Sequence, residues 1–234
     1  MKGIFNMILV LSLLISPMIF ADSLEDEWRE EDVQAIEVYA GSLENFKKQR
    51  TYNDNFVDVQ PSDWYHSYVQ MGYEYGLIDG RTPKAFKPDQ SVTIAECIKL
   101  AVCIYEIYYY GELSDFSDTT DKWYTPYIEY AESESLLSGV SQKYDQPATR
   151  ADVARIFYNA LPQDALEKIN SISENSILDI NNHNEKNVII FLYRAGIFTG
   201  KDERLNFYPD ENVKRSEIAT IVTRLVNAKA RITL

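Results

Sequence analysis

The chain has 234 residues, of which 36 are acidic and 23 are basic, so its formal net charge at neutral pH is −13. This balance argues against a nucleic-acid partner and against an anionic lipid surface, because both require a basic protein face. The two cysteines, Cys97 and Cys103, lie six residues apart in one apolar run. They form neither a disulfide framework nor a metal-binding pattern, and we expect both to be buried free thiols.

Residues 1–21 have the features of a secretory signal. Lys2 precedes an apolar run from Ile8 to Phe20, and Ala21 is a small residue at a suitable cleavage point. The run is shorter than the roughly 20 residues of a membrane span, although an uncleaved anchor is the alternative. We therefore expect a secreted protein that makes no membrane contact after the signal is removed.

Residues 22–52 form an acidic segment with irregularly spaced apolar residues. Ser23 and Asp26 fit the capping box that begins a helix. The sequence predicts a helical lead-in that packs on the next segment, or a semi-flexible stalk, and does not decide between them.

Three segments with the same order of residue types follow at a spacing of about 60 residues. Gly80, Gly139 and Gly200 lie 59 and 61 residues apart, and Trp64 and Trp123 each precede their glycine by 16 residues. Such a period indicates one supersecondary unit used three times. We place unit 1 at residues 53–112, unit 2 at 113–170 and unit 3 at 171–234.

Each unit is predicted to be a helix, a loop and a second helix. Apolar residues at helical spacing predict the first helices, and the sets are Trp64, Tyr68, Met71 and Tyr75; Trp123, Tyr127 and Ala131; and Val188, Leu192 and Ala195. The three spaced glycines are predicted to end these helices in left-handed turns. The second helices start at Thr93, Thr149 and Lys214. One helix pair cannot bury its own apolar face, but three pairs packed together can. We therefore predict one all-α domain made of the three pairs.

The starts of the second helices carry a capping pattern. Thr93 with Glu96, and Thr149 with Asp152, fit the capping box, in which hydroxyl and carboxylate each accept from a helix-start amide. An acid here also suits the positive end of the helix dipole, and Glu217 holds the same position in unit 3. These five residues therefore have a full structural explanation as helix caps.

Two arginines at the same helix starts are not explained by capping. Arg150 and Arg215 lie just inside a helix, where a cation opposes the dipole at a cost of ~0.3–1 kcal/mol. A bound anion could hold these guanidinium groups, since nearby amides favour anions and a guanidinium can grip a carboxylate in bidentate fashion. The alternative is an ion pair with an internal acid such as Asp118 or Asp179.

These residues, in this order and three times over behind a signal, resemble the S-layer homology module, which occurs as three tandem copies. The resemblance covers residues 53–229. It implies an all-α pseudo-threefold bundle, with three central helices and three helix–loop prongs that radiate outward. It also implies grooves between prongs that bind a secondary cell-wall polymer, often through a pyruvate ketal on a terminal sugar, and so hold the protein at the bacterial cell wall.

The resemblance assigns ligand-binding roles by position. Arg150 and Arg215 are expected to meet the acidic group of the polymer. Two tryptophans line grooves or pack helices, and three glycines permit close approach of backbone to sugar; these are Trp64, Trp123, Gly80, Gly139 and Gly200.

The sequence departs from the family pattern in every unit. Ile94 replaces the arginine in unit 1, and unit 2 has a shortened loop in which Tyr144 only partly replaces the usual Phe-x-Pro-Asp. Unit 3 has Asn184 at the tryptophan position and Lys214 in place of the capping threonine. We therefore expect no more than one or two grooves to bind well.

The sequence leaves three functions open, of which two are non-catalytic and the third is enzymatic. The leading one is a non-catalytic protein, without cofactor, that anchors at the cell wall or S-layer. The alternative is a structural or interaction protein whose degenerate repeats form a scaffold and which contacts another envelope protein through residues 22–52 or Tyr108–Tyr110. Those tyrosines also fit the end of a buried helix.

Catalysis and metal binding have little support in the sequence. His66 and His183 are far apart and lack a nucleophile motif, and no pair of acids is singled out for glycosidase chemistry. Asp115, Asp118 and Asp121 are clustered but lack the loop pattern of a calcium site. We therefore predict no enzyme activity and no metal site.

Overall fold

The structure is a computed structural model that describes residues 41–117 and 122–234. The predicted signal at residues 1–21, residues 22–40 of the lead-in, and residues 118–121 lie outside this part of the chain. Within it are six α-helices and no β-strand: α1 His66–Glu74, α2 Ile94–Tyr110, α3 Thr125–Ser133, α4 Arg150–Ala160, α5 Lys186–Arg194 and α6 Arg215–Val226. Short 3₁₀ turns occur at Leu43–Asn45, Gln163–Ala165, Leu178–Ile180 and Ala228–Ala230. The all-α prediction is confirmed, and none of the described helices is long and apolar enough to cross a membrane.

Each unit contributes two helices, and the second helix of each begins at its predicted cap. Thr93 and Thr149 accept from the amides of Glu96 and Asp152 at 3.3 Å and 3.1 Å, and both acids reach back to the cap amides. Lysine has no acceptor, so at Lys214 only the return bond remains, from its amide to the Glu217 carboxylate at 2.9 Å. The capping predictions are confirmed.

The first helices differ from the sequence prediction at both ends. α1 and α3 begin after Trp64 and Trp123, so these side chains do not belong to the apolar helix faces. α1 ends at Glu74 and α5 at Arg194, each followed at the second residue by a left-handed glycine, Gly76 (φ 75°) and Gly196 (φ 71°).

The prediction that Gly80, Gly139 and Gly200 cap these helices is therefore wrong. Each lies six residues beyond the end of the first helix of its unit. After α3 the left-handed position is taken by Ser135 (φ 60°), a residue that the sequence pattern did not mark as a helix end.

The units are linked by a cycle of helix contacts. The first helix of each unit packs on the second helix of the unit before it, so α3 packs on α2 and α5 packs on α4. α1 packs on α6, which connects the first unit back to the third. α2 and α4 also pack on each other. The apolar face that one helix pair cannot bury is thus covered by its neighbours.

A ring of three backbone hydrogen bonds lies just before the second helices. The amide of Val92 donates to the carbonyl of Val213 at 3.0 Å, Val213 to Ala148 at 3.0 Å, and Ala148 to Val92 at 2.9 Å. All three residues are buried. The ring joins the starts of the three second helices, and each start faces the loop of another unit.

The described end of the lead-in is a packed strap rather than an α-helix. This N-terminal strap, residues 41–52, contains only the 3₁₀ turn at its start. Phe46 and Tyr52 are buried, and the amide of Gln49 donates to the carbonyl of Glu74 at 2.8 Å. Of the two alternatives that the sequence left open, residues 41–52 pack on unit 1, but they do so without an α-helix.

α2 carries the two cysteines and the run of tyrosines. Cys97 and Cys103 are free and buried, as predicted. Tyr108 is buried and Tyr110 is 50% exposed at the last turn of the helix, which ends at a left-handed glycine, Gly111. The tyrosines thus finish a largely buried helix.

Candidate functional site

Three clefts lie beside the starts of the second helices, and each is lined by residues from all three units. Groove A has a volume of about 320 Å³, and its polar and aromatic lining includes Arg215, Asp79, Gly80, Arg81, Glu96, Lys99 and Trp123. Groove B has about 210 Å³ and includes Arg150, Gly200, Lys201, Glu217, Arg224 and Trp64. Groove C has about 510 Å³ and includes Ile94, Gly139, Lys143, Asp152, Arg155, Asn184, Glu185 and Asp210.

The grooves are built on one plan. The first residue of a second helix, the spaced glycine of the next unit and the tryptophan position of the remaining unit meet in each. The structure therefore brings Arg215 together with Gly80 and Trp123, and Arg150 with Gly200 and Trp64. Gly139 lies in groove C, where isoleucine and asparagine replace the arginine and tryptophan.

Arg215 is held by backbone carbonyls at the edge of groove A. Its Nε donates to the carbonyl of Phe86 at 2.7 Å and its Nη2 to that of Asp79 at 2.6 Å. The guanidinium lies 4.6 Å from the centroid of the Phe86 ring. It forms no ion pair within the described part of the chain. Burial and the neighbouring Arg81 lower the pKa of Arg215 to about 10.

Arg150 is bound in the same way but lies deeper. Its Nε donates to the carbonyl of Phe207 at 2.6 Å and its Nη2 to that of Thr199 at 3.2 Å. Its side chain is 5% exposed, and Nη1 lies 3.6 Å from a carboxylate oxygen of Glu217. Burial lowers the pKa of Arg150, and Glu217 opposes that shift. This guanidinium is mainly a structural group, with one edge on groove B.

The alternative expectation, an ion pair between an arginine and an internal acid, holds for Arg150 with Glu217 but not for Asp179. Asp179 accepts instead from the amides of Phe207 and Tyr208 at 3.0 Å and 2.6 Å. Asp58 accepts in the same manner from Phe86 and Lys87. These aspartates fix the loop whose carbonyl then receives the arginine Nε; Asp118 lies outside the described residues.

The helix-start amides are not available to an anion, contrary to the sequence prediction. The amide of Arg150 donates to the carbonyl of Glu211 and that of Arg215 to Gln90, both at 2.9 Å. The next amides along each helix also donate to loop carbonyls. Because Nε and Nη2 of each arginine hold carbonyls as well, the terminal Nη1–Nη2 edge is the part left for a ligand.

The two tryptophans are surface residues of the grooves rather than packing residues. Trp64 is 60% exposed and Trp123 is 52% exposed. Each lies against its neighbouring tyrosine, Tyr65 or Tyr124, with ring centroids 5.4 Å apart. An indole held beside a cleft in this way offers a flat face to a sugar ring.

The glycines are required by close backbone approach within the loops. A Cβ at Gly80 would lie 2.4 Å from the carbonyl oxygen of Thr82, and one at Gly200 would lie 2.3 Å from the Cα of Leu205. Gly139 has a φ of 74° and would meet only the flexible side chain of Arg155. The loops of units 1 and 3 thus depend on glycine more strictly than the loop of unit 2.

Charge distinguishes the three grooves. Groove A has three cations, which are Arg81, Lys99 and Arg215. It has two acids, of which Glu96 forms an ion pair with Arg81 and Asp79 forms one with an arginine outside the groove. Groove B has Arg150, Lys201 and Arg224 against one acid, Glu217. Groove C has three acids against two cations. Grooves A and B are therefore locally cationic on a strongly acidic protein.

Four of these cations were not among the site residues predicted from the sequence. Arg81 and Lys201 directly follow the spaced glycines, and this shared position was a readable signal. Lys99 lies three residues after the capping acid, on the same helix face. Arg224 lies much further along α6 and reaches groove B through packing, which no local pattern indicates.

Neither histidine is part of a catalytic arrangement in the described ranges. His66 Nε2 lies 3.1 Å from a carboxylate oxygen of Asp54, and His183 Nδ1 accepts from the amide of Glu185. Residues 41–117 and 122–234 contain no group of three or more His, Cys, Asp or Glu residues that could hold a metal.

Comparison with known families finds a match in two of the three repeated units. The S-layer homology domain matches the chain at residues 55–96 and at 176–219. These matches lie in units 1 and 3. Unit 2, with its shortened loop, is outside both matches, although it has the same pair of helices.

Proteins similar to this chain include surface-layer proteins and enzymes. The surface-layer 125 kDa protein of Lysinibacillus sphaericus is 29% identical over 50% of the chain, and the exoglucanase XynX of Acetivibrio thermocellus is 30% identical over 49%. The middle cell wall protein of Brevibacillus brevis is 25% identical over 56%. The matched region is only 11–12% of the length of these relatives.

Proposed function

Because the chain carries S-layer homology domains, we propose that it binds an acidic secondary cell-wall polysaccharide and so anchors at the cell wall or S-layer without catalysing a reaction. The matches to the S-layer homology domain and to surface-layer and cell wall proteins support a location at the bacterial cell surface. We also propose that its units form three prongs around a pseudo-threefold axis. The observation that carries the proposed function is groove A, where an arginine without an ion-pair partner in the described residues lies beside an exposed tryptophan.

The chemistry of groove A suits a sugar that carries a carboxylate. Trp123 offers an apolar face to the ring of the sugar, while Arg215 and Lys99 offer positive charge. A pyruvate ketal on a terminal sugar has this combination of a ring and an acid. Long-range repulsion from the acidic surface is modest, because salt screens charges beyond ~8–10 Å.

The grooves are expected to differ in affinity. Groove A has the more accessible arginine, so we place the main site there. Groove B has an almost buried arginine whose free edge also faces Glu217, which weakens its hold on an acid. Groove C lacks both arginine and tryptophan and has an excess of acids, so it is not expected to bind an acidic sugar.

A sedimentation assay with cell wall tests the proposal. Wild-type protein should co-sediment with wall that carries its secondary polymer and should lose this retention on wall stripped of the polymer. Trp123→Ala should weaken retention more than Trp64→Ala. Asn184→Ala, at the matching position of groove C, is the control and should bind as wild type. Equal retention on intact and stripped wall would refute polymer binding.

One observation favours the second candidate, a scaffold that contacts another envelope or S-layer protein. Val57 and Leu178 hold the same position in units 1 and 3 and are 70% and 65% exposed. If Val57→Ser with Leu178→Ser abolished retention on intact wall, while the tryptophan variants bound normally, protein contact would be the better explanation.

A further inference from the structure

We propose that Arg50 is a positioning residue for groove A, which fixes the loop carrying Asp79 and neutralises the Asp79 carboxylate at the groove. The inference rests on the proposed function of groove A as a site for an acidic sugar. Arg50 does not line the groove. It belongs to the N-terminal strap, upstream of the segment that matches the S-layer homology domain, which begins at residue 55.

The guanidinium of Arg50 joins the end of α1 to the loop that follows it. Its Nε donates to the carbonyl of Tyr73 at 2.6 Å, and its Nη2 donates to the carbonyl of Ile78 at 2.9 Å. The same Nη2 lies 2.7 Å from a carboxylate oxygen of Asp79. The guanidinium carbon lies 3.8 Å from the centroid of the Tyr73 ring. These contacts hold the loop from two sides.

Asp79 connects this clamp to the groove. Its carbonyl oxygen accepts from Nη2 of Arg215 at 2.6 Å, so the backbone that Arg50 fixes also sets the position of the Arg215 guanidinium. Asp79 is one of two acidic residues that line groove A, and its carboxylate side chain is 60% exposed. Without Arg50 this carboxylate would lose its ion-pair partner and repel an acidic ligand.

Unit 3 has only part of this arrangement and lacks the charges. Asn170 corresponds to Arg50: its amide donates to the carbonyl at the end of α5, and its side chain donates to the carbonyl of Tyr193 at 2.9 Å. The second side-chain bond of Asn170 goes to the carbonyl of Ile232 at 2.8 Å. Thr199 corresponds to Asp79, and its carbonyl accepts from Nη2 of Arg150.

The cation and the acid thus occur together beside groove A and are both absent beside groove B. In unit 3 asparagine suffices to anchor this position to the end of α5, and its side-chain amide donates to Tyr193 and Ile232, not to the loop that carries Thr199. The additional positive charge is present where the groove loop has a carboxylate, which is the expected arrangement if Arg50 neutralises it.

Calorimetric titration with a methyl glycoside that bears a pyruvate ketal tests this role. The full chain with Trp64→Ala is the parent, so that groove A dominates the signal. Arg50→Gln should weaken binding about fivefold, because the exposed Asp79 carboxylate then repels the ligand. Adding Asp79→Asn to Arg50→Gln should restore the affinity to within about twofold, which a purely structural role of Arg50 would not do.

Two further variants control for the strap itself. Lys48→Gln breaks the Lys48–Glu74 ion pair on the same strap and should leave the affinity unchanged. Arg50→Lys keeps the positive charge and should bind the glycoside more tightly than Arg50→Gln. If Arg50→Gln does not fold, the comparison of Arg50→Lys with the parent replaces it. Unchanged affinity in Arg50→Gln, or no rescue by Asp79→Asn, overturns the role of Arg50 but leaves groove A as the proposed binding site. A parent protein that does not bind the glycoside overturns both.

Discussion

Arg150 and Arg215 hold matching positions but should differ in what they contribute to stability. We expect Arg150→Met to lower the free energy of unfolding by about 3 kcal/mol and Arg215→Met by about 1.5 kcal/mol. Methionine keeps much of the apolar stem and removes only the charged head, so the comparison isolates the guanidinium. The same substitution at two matched sites is its own control.

The difference follows from burial. Each arginine donates to two carbonyls, and a hydrogen bond from a charged group contributes about 1.5–3 kcal/mol. The Arg150 side chain is only 5% exposed, so water cannot readily replace it, and Glu217 loses a nearby cation. Relief of the buried charge offsets part of this loss. Arg215 is half-buried at the groove edge, where water can reach the two carbonyls after substitution.

Urea unfolding followed by far-UV circular dichroism measures the difference. With a slope of about 2 kcal/mol per M, the midpoint should fall by roughly 1.5 M for Arg150→Met and by roughly 0.7 M for Arg215→Met. In the wall sedimentation assay, Arg215→Met should lose more retention than Arg150→Met, relative to the free energy of unfolding that each variant loses. Two midpoints within about 0.2 M of wild type would refute a structural role for these guanidinium groups.

Three other outcomes follow from the geometry. Gly200→Ala should destabilise the protein by about 2–3 kcal/mol because its Cβ meets backbone, whereas Gly139→Ala should cost only about 1 kcal/mol, as thermal unfolding would show. Cys97 and Cys103 should not react with a thiol reagent at pH 8 in the folded protein, and both should react in urea. The reason is that burial raises the pKa of Cys103 to about 11 and also raises the pKa of Cys97, so neither forms the reactive thiolate. Asp179→Ala should cost about 2 kcal/mol by leaving two loop amides without their acceptor, measured by urea unfolding.

These outcomes can each be contradicted. A Gly139→Ala variant as unstable as Gly200→Ala would mean that the left-handed backbone at Gly139 costs as much as the contact between a Cβ and backbone atoms at Gly200. Rapid reaction of a thiol in the folded protein would show that α2 opens locally. An Asp179→Ala variant with wild-type stability would show that water replaces the carboxylate at the loop.

The sequence predicted the helix pairs and their caps well because those features are local. A capping box needs only residues three apart, and Thr93 and Thr149 form it as expected. The helix ends were predicted less well. The spaced glycines were interpreted as caps, yet they are loop residues: Gly80 and Gly200 are required by close backbone approach, and of the three only Gly139 is left-handed. The left-handed residues that follow the first helices are Gly76, Ser135 and Gly196.

The site was predicted in part, and the missing part depends on long-range contacts. The positions of Arg215 and Trp123 were recognised, but the sequence could not show that they meet in one groove. Nor could it show that loop carbonyls occupy the helix-start amides, since the partner residues lie far away in the sequence. Arg50 escaped notice because it precedes the repeated pattern.

The construction of the grooves has a consequence for how the units can work. Groove A takes its arginine from unit 3, its glycine and capping acid from unit 1 and its tryptophan from unit 2. Groove B draws on the same three units in a different order. A single unit cannot form either groove, so removing any unit should abolish binding at both, even where the other arginine and tryptophan remain. Substitutions such as Ile94 in unit 1 and Asn184 in unit 3 can therefore remove binding at groove C alone, provided that the helices of both units still support grooves A and B.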